Sequence, residues 1–381
     1  MKILQLLLAL LVLSGCAAVD TVKGWMGPTN GQTPTKLVEF GATAAFSERW
    51  HGDFGEMGAS PLPAALTGDA VYGASGKGVL TRLDRATGKQ VWRVESNITV
   101  SAGVGSGEGL VLIGSNKGEV LAYGEDGKLR WRSKLSSEVL GVPQVADGVV
   151  VVRSGDGHIA GLSVSDGKRL WMLERSTPAL VVRSHASVTI RRGVAFAGFA
   201  GGKLSAFKVA DGSDLWENSV SQPRGNTELE RISDITSNPV INDNQVCAIA
   251  FQGHLACFDA GQGSPLWNRD ISSDKGLFID GKYLYASDVS GAVMALDNAS
   301  GSTVWKNEQL LLRNPSAPYA QDSVVVVGDY EGFLHALSRE DGHFVARIKL
   351  GGGAIQAAPV QMDDGLLVQT HSGDVYSLSI K

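Results

Sequence analysis

The chain has 381 residues, 43% of them hydrophobic, and 34 Lys and Arg against 39 Asp and Glu give a formal net charge of −5. With no basic stripe, that balance excludes nucleic acid as a partner, and the hydrophobic content is that of an ordinary folded domain. Length alone would suggest two domains, but 48 Gly and 8 Trp recur in a pattern that points to one repeat architecture.

Met1-Lys2 opens the chain, followed by an apolar run over 3–13 and then Leu13-Ser14-Gly15-Cys16. A basic start, a short apolar core and small residues before a cut predict a secretory signal peptide over residues 1–15. The run is too short for a bilayer span, which needs about 20 residues. Leu-Ser-Gly-Cys resembles the lipobox of bacterial lipoproteins, which implies that Cys16 is acylated and becomes the first residue of the mature chain. Ala17 after it resembles an outer-membrane address, since Asp at that position marks the inner membrane in enterobacteria-like sorting. Residues 16–40, rich in Gly, Pro, Thr and Asn up to Pro34, are expected to form a lipidated flexible tether, with 41–381 as the folded domain.

From Gly78 onward a line of about forty residues repeats. Gly78, Gly88 and Trp92 are spaced by ten and then four positions. The same spacing returns at Gly157, Gly167, Trp171; at Gly202, Gly212, Trp216; at Gly253, Gly263, Trp267; and at Gly291, Gly301, Trp305. Gly118, Gly127, Trp131 is one residue shorter, and Gly332, Gly342 ends on Ala346 in place of Trp. An apolar run before each first Gly and an alternating segment after it predict a hairpin with a Gly turn. A second tight turn at the later Gly leads into a strand carrying the Trp. With an earlier segment that often holds Pro, such as Asn238-Pro239-Val240, each repeat has four short strands, the content of one propeller blade. Six of the eight Trp sit at the one position, as expected of a ring that fills the wedge between blades.

Gly373 opens an eighth copy that ends at Lys381 before its fourth strand. Phe46-Ser47-Glu48-Arg49-Trp50 has the character of that strand, and Trp50 lies 42 positions before Trp92. The prediction is therefore an all-β, eight-bladed β-propeller with four-stranded blades, closed by an N-terminal strand that completes the last blade and leaves no open seam.

Two intervals break the period: Gly157 to Gly202 is 45 residues and Gly202 to Gly253 is 51, against 38–41 elsewhere. Both excesses lie between a Trp strand and the next blade's first strand, so they should emerge as neighbours on one face. Such insertions often form the binding surface of a repeat protein. The first contains Leu180, Val182, Arg183 and His185; the second contains Glu228, Arg231 and Asp234. Apolar residues beside Arg suit an interface core with a charged edge, while Leu180 and Val182 would equally suit strand positions facing a core. Cys247 and Cys257 lie on the two arms of one hairpin. An odd-length loop would place them on one face and allow a disulfide; a two- or four-residue turn would put them on opposite faces.

No catalytic constellation is visible. The seven His are scattered without zinc-like spacing, no nucleophile elbow or phosphate loop occurs, and the acids largely occupy hairpin turns, where Asp holds its own backbone. The repeat resembles the quinoprotein propeller repeat, whose enzymes bind pyrroloquinoline quinone. Those enzymes carry adjacent cysteines, a calcium site and an Asp base; no two Cys are adjacent here. Lipobox, tether, eight repeats and the two insertions together resemble the outer-membrane assembly factor BamB family across essentially the whole chain. The segments Gly225-Asn-Thr-Glu228-Leu-Glu-Arg231-Ile-Ser-Asp234 and Val327-Gly-Asp-Tyr-Glu-Gly-Phe-Leu-His335 carry the resemblance most closely.

The resemblance implies a non-enzymatic lipoprotein without cofactor, held on the periplasmic side of the outer membrane. It implies docking on POTRA domains of BamA, indirect association with the other assembly lipoproteins, and nascent outer-membrane proteins as candidate clients. It also carries a Leu-x-Leu-Arg contact motif onto Leu180, Val182 and Arg183, and an Asp-x-Asp pair onto Asp234 and Thr236, with Arg231 nearby. Val182 and Thr236 depart from that pattern. The competing readings are a quinone-dependent periplasmic dehydrogenase and a tethered carbohydrate- or peptide-binding propeller.

Overall fold

Each repeat is built on the turn its first Gly permits. In the third repeat the strands Val149–Arg153 and Ile159–Ser163 are joined through Gly157 at φ 86°, a conformation that penalises any Cβ. A computed structural model describes residues 33–363 and 365–381 and arranges them as eight four-stranded antiparallel sheets. Seven blades take their strands in sequence order. Blade 1, for example, consists of Ala65–Thr67, Ala70–Ala74, Val79–Asp84 and Gln90–Glu95. The short first strands face the axis, the second and third are almost wholly buried, and the fourth lies at the rim.

Blade 8 is closed from the other end of the chain, as the truncated last copy implies. Phe46–Asp53 pairs with Asp374–Ile380, running from Phe46 opposite Ile380 to Asp53 opposite Asp374. Trp50 is 7% exposed, and its indole N–H donates to the Arg85 carbonyl of blade 1 at 2.9 Å.

The same device recurs around the ring. Trp92, Trp131, Trp171, Trp216, Trp267 and Trp305 each donate to a carbonyl of the next blade at 2.8–3.2 Å. Each ring also lies on the second Gly of that next blade. A Cβ on Gly88, whose φ is 68°, would sit 2.5 Å from the Trp50 ring. The second Gly is therefore fixed twice, by its turn and by the ring above it. This explains Ala346. The seat for a blade 7 ring would be the turn between third and fourth strands of blade 8, and those strands come from opposite ends of the chain, so the turn does not exist. Phe46, Tyr376 and Ile380 pack beside Ala346 instead.

All eight outer strands carry a β-bulge just before the ring position. The bulge turns Val91, Leu170, Leu215, Leu266 and Val304 outward, each at least 40% exposed. It also breaks the regular edge that would otherwise template pairing with another chain.

The tether expected over 16–40 is not free throughout. The amide of Thr35 donates to the Leu311 carbonyl at 3.1 Å, and those of Thr43 and Ala44 both donate to the Val345 carbonyl at 3.0 and 3.1 Å. Val38 and Phe40 pack on the blade 6–7 core. Residues 35–45 thus lie along blade 7 because they offer apolar side chains and backbone donors to its bulged edge. The signal peptide, Cys16 and the rest of the tether up to residue 32 lie outside the described residues.

Candidate functional site: two stitched insertions

The insertions leave blades 3 and 4 after the outer strands Arg169–Leu173 and Asp214–Ser219, on one face and side by side. They are stitched together chiefly by Asp234. Its carboxylate, 3% exposed, accepts the Val182 amide at 2.7 Å on one oxygen and the Gly201 amide at 2.9 Å on the other. The Ser184 hydroxyl donates to the Thr236 carbonyl at 3.2 Å, and the Ser187 amide donates to Asn238 Oδ1 at 2.6 Å. Below lies a cavity of about 490 Å³ lined by Glu138, Arg153, Val181, Arg183, Phe199 and Asp234 among others. Arg153 donates to the Gly198 carbonyl at 2.7 Å, with its guanidinium 5.3 Å from the Phe199 ring centre. Burial lowers its pKa to about 10 against the opposing pull of Asp234, so it remains charged at neutral pH.

Above this frame, Leu180 is 43% and Val181 45% exposed, while Val182 is half-buried and Arg183 exposed. Leu180 is therefore surface, not core. Asp234, expected to present its carboxylate to a partner, is inside, with both oxygens spent on backbone N–H groups. Thr236 is also buried, and it is its carbonyl that serves the first insertion.

The second insertion ends in a pinned turn. The Glu230 carboxylate accepts the amides of Asn226 and Thr227 at 2.7 and 3.1 Å, and the Glu230 amide donates back to the Thr227 hydroxyl at 3.2 Å. This is the reciprocal arrangement of a capping box. Arg231 is exposed and pairs with Glu228 at 3.3 Å. The turn presents Leu229 at 67% exposure, the highest of the large apolar side chains among the described residues. Sequence reasoning passed over Leu229 and Val181. Thr227-x-x-Glu230 was the available signal for the first; Val181, between two motif positions, carried none.

Cys247 and Cys257 are Cα partners across their hairpin, fully buried and joined in a disulfide. The loop between the strands Gln245–Ile249 and Leu255–Asp259 has five residues, the odd length that puts both on one face.

The axis opens into a cavity of about 820 Å³ lined by both apolar residues, such as Pro61, Pro239 and Phe278, and polar ones, such as Arg183, Asp274 and Lys275. Neither Cys247 nor Cys257 lines this cavity, so the adjacent-cysteine pair of the quinone-binding enzymes has no counterpart in its walls. Among the described residues no group of three or more His, Cys, Asp or Glu could hold a metal ion, and Cys247 and Cys257 are sealed inside blade 5.

A family model described as outer membrane protein assembly factor BamB matches residues 76–307. A protein of that name from Burkholderia pseudomallei is 38% identical over 369 residues, covering 97% of this chain and 95% of its own length. The protein of that name from Escherichia coli K12 is 34% identical over 388 residues, covering 98% and 97%. The crystal structure of BamB from Moraxella catarrhalis has a TM-score of 0.81 at 24% identity, covering 88% of this chain and 99% of that one. Quinohemoprotein alcohol dehydrogenase from Comamonas testosteroni has a TM-score of 0.72 at 14% identity, covering 87% and 76%, a likeness of fold alone.

Proposed function

The chain belongs to the outer membrane protein assembly factor BamB family, and from that premise we propose that it is a non-catalytic scaffold lipoprotein of the outer-membrane β-barrel assembly machinery. In this reading Cys16 carries the lipid that holds it to the periplasmic side of the outer membrane, and residues 180–183 dock on POTRA domains of BamA. Among the described residues no helix is long and apolar enough to cross a membrane, so the lipid would supply the attachment.

The observation that carries the docking surface is the exposure of Leu180 and Val181 on a backbone fixed from beneath by Asp234. Apolar side chains held in place before binding lose little entropy when a partner covers them. Leu180 and Val181 supply the desolvated centre, and Arg183 at its edge pairs with a carboxylate of the partner. Arg231 belongs to the rim, already paired with Glu228, and contributes less.

The test is titration of the protein with isolated BamA POTRA domains, with a melting curve for each variant. Arg183→Glu should weaken binding by about 2 kcal/mol or more, roughly thirtyfold, and Leu180→Ala should weaken it too. Both melting temperatures should stay at the wild-type value, because neither side chain is core. Unchanged affinity for both variants removes this surface. Cys16→Ala should move the protein to the soluble periplasmic fraction in cells lacking BamA; retention with outer membranes would refute the anchor.

A further inference from the structure

Blade 7 contains a buried charged cluster that neither the ring nor the docking surface requires. Asp329 and His335 are fully buried and Arg313 nearly so. Asp329 Oδ2 accepts from Arg313 Nε at 2.8 Å and Nη2 at 2.7 Å, and from His335 Nε2 at 3.0 Å. Its Oδ1 accepts the amides of Glu331 and Phe333 at 3.0 and 2.9 Å. Since His335 Nε2 donates to the carboxylate, Nδ1 is an acceptor, and Arg347 Nε donates to it at 3.0 Å. Both guanidinium groups then reach outward to the N-terminal segment. Arg313 Nη1 donates to the Thr35 carbonyl at 3.2 Å and Arg347 Nη1 donates to the Val38 carbonyl at 2.9 Å.

One carboxylate therefore orients two arginines, one directly and one through a neutral imidazole, onto two carbonyls of residues 35–45. Arg347 also lies 4.9 Å from the ring centres of both Phe40 and Phe344. Asp329 and Glu331 balance Arg313 and Arg347, so the cluster is electrically neutral while His335 is neutral. An apolar patch of the same size would bind the segment without fixing its register. Two directed guanidinium groups specify which carbonyls sit where, while Val38 and Phe40 supply the apolar contact.

We propose that residues 35–45 are a strap latched to blade 7 by Arg313 and Arg347, and that this latch fixes the point at which the N-terminal region leaves the propeller. Thr35 is held at Leu311, in the connection between blades 6 and 7. That connection is equivalent to those that carry the two insertions, so the chain preceding Thr35 departs from the insertion-bearing face. If Cys16 is lipidated, as the proposed function has it, the 19 residues from it to Thr35 reach at most about 65 Å.

Hydrogen exchange on the full chain tests the latch. In the wild type the amides of Thr35, Thr43 and Ala44 should be protected, and Arg347→Met should speed their exchange at least tenfold while Phe46–Asp53 stays protected. Arg347→Lys, which keeps the positive charge but loses the directed Nη1 donor to the Val38 carbonyl, should act in the same direction and decides the matter if Arg347→Met fails to fold. Strap amides exchanging freely in the wild type, or unchanged in a folded variant, overturn the proposal. Spin labels read the exit point: Pro34→Cys should lie nearer a label at Tyr330, on the insertion face, than one at Glu340, on the opposite face, and the reverse order overturns it. None of these measurements needs the lipid or a POTRA domain, so failure here is distinguishable from failure of the proposed function.

Discussion

Asp234 and Asp329 solve one problem at two places, with opposite results for the surface. Each is a buried carboxylate that captures a segment from outside its own blade. Asp234 spends both oxygens on backbone amides, Val182 and Gly201, which leaves the side chains of the captured loop free to point outward. Leu180 and Val181 are accordingly exposed. Asp329 instead works through the side chains Arg313 and His335, and the arginines cover what they capture, with Arg347 against Phe40. Gripping the backbone presents a loop; gripping it through long side chains hides it. The first geometry suits a site awaiting a partner, the second a segment whose partner is its own chain.

The comparison breaks most severely if the closing strand goes together with the strap. Truncation through Trp50 removes an outer strand and a buried ring, worth at least about 3 kcal/mol for the Trp alone. Truncation through Ala45 removes only the strap and leaves Phe46–Asp53 in place. Truncation through Pro34 leaves both. Melting temperatures should fall in the order Pro34, Ala45, Trp50, with the last step the largest. Equal values for the Pro34 and Trp50 truncations would contradict closure of the ring by the N-terminal strand.

Asp234→Ala is the next largest perturbation. It leaves two buried amides without an acceptor and the Arg153 charge without its neighbour, a loss of about 3 kcal/mol in stability. Asp234→Asn keeps one acceptor and should cost less. POTRA affinity should fall in both, through a disordered 180–183 loop, in proportion to the exchange rate of the Val182 amide. Full affinity with an unprotected Val182 amide would show that loop order does not matter to docking.

Much of this was legible because the chain repeats. Two Gly and a Trp at fixed spacing exposed the blades, and the eighth copy stopping at Lys381 required a strand from the other end, which Trp50 identified. The longer intervals located the two insertions. What could not be read is whatever depends on contacts between blades. Asp234 looks like any polar loop residue until the Val182 and Gly201 amides are seen on it. The strap was hidden because residues 35–45 carry no repeat signature, and its holders, Arg313, Asp329, His335 and Arg347, lie about 300 positions away. The bulge before each ring position has no signature of its own in the sequence: Leu170, Leu215 and Leu266 are apolar, and only the register of the outer strand turns them to solvent. Ala346 looked like a lost Trp, but there the ring has no glycine to rest on.

The smallest expected effect separates the two aspartates by pH. Burial holds the His335 pKa below the ordinary value, outweighing the upward pull of Asp329, with Arg347 and Arg313 opposing protonation further. The groups around the cluster are Asp329 on Nε2, Arg347 on Nδ1, Arg313 and Glu331 beside Asp329, and Glu39 on the strap beside Arg347. A histidine with a lowered folded-state pKa contributes stability that is fully present above its unfolded value near 6.5 and is lost as pH falls toward the folded value, because the unfolded chain takes up the proton first. Protonation at Nδ1 would also set an N–H against the Arg347 N–H, breaking the link to Val38. Strap exchange, corrected for the intrinsic effect of pH, should therefore rise between pH 7 and pH 5, by less than Arg347→Met produces. His185, in the first insertion, is likewise lowered by burial, but its Nδ1 faces the Leu140 carbonyl and no strap residue. Its titration destabilises the insertion without touching strap exchange. His335→Gln, which keeps a donor and an acceptor without a titrating ring, should abolish the pH dependence at Thr35, Thr43 and Ala44. A pH dependence that survives in this variant would place the sensitive group elsewhere than the latch.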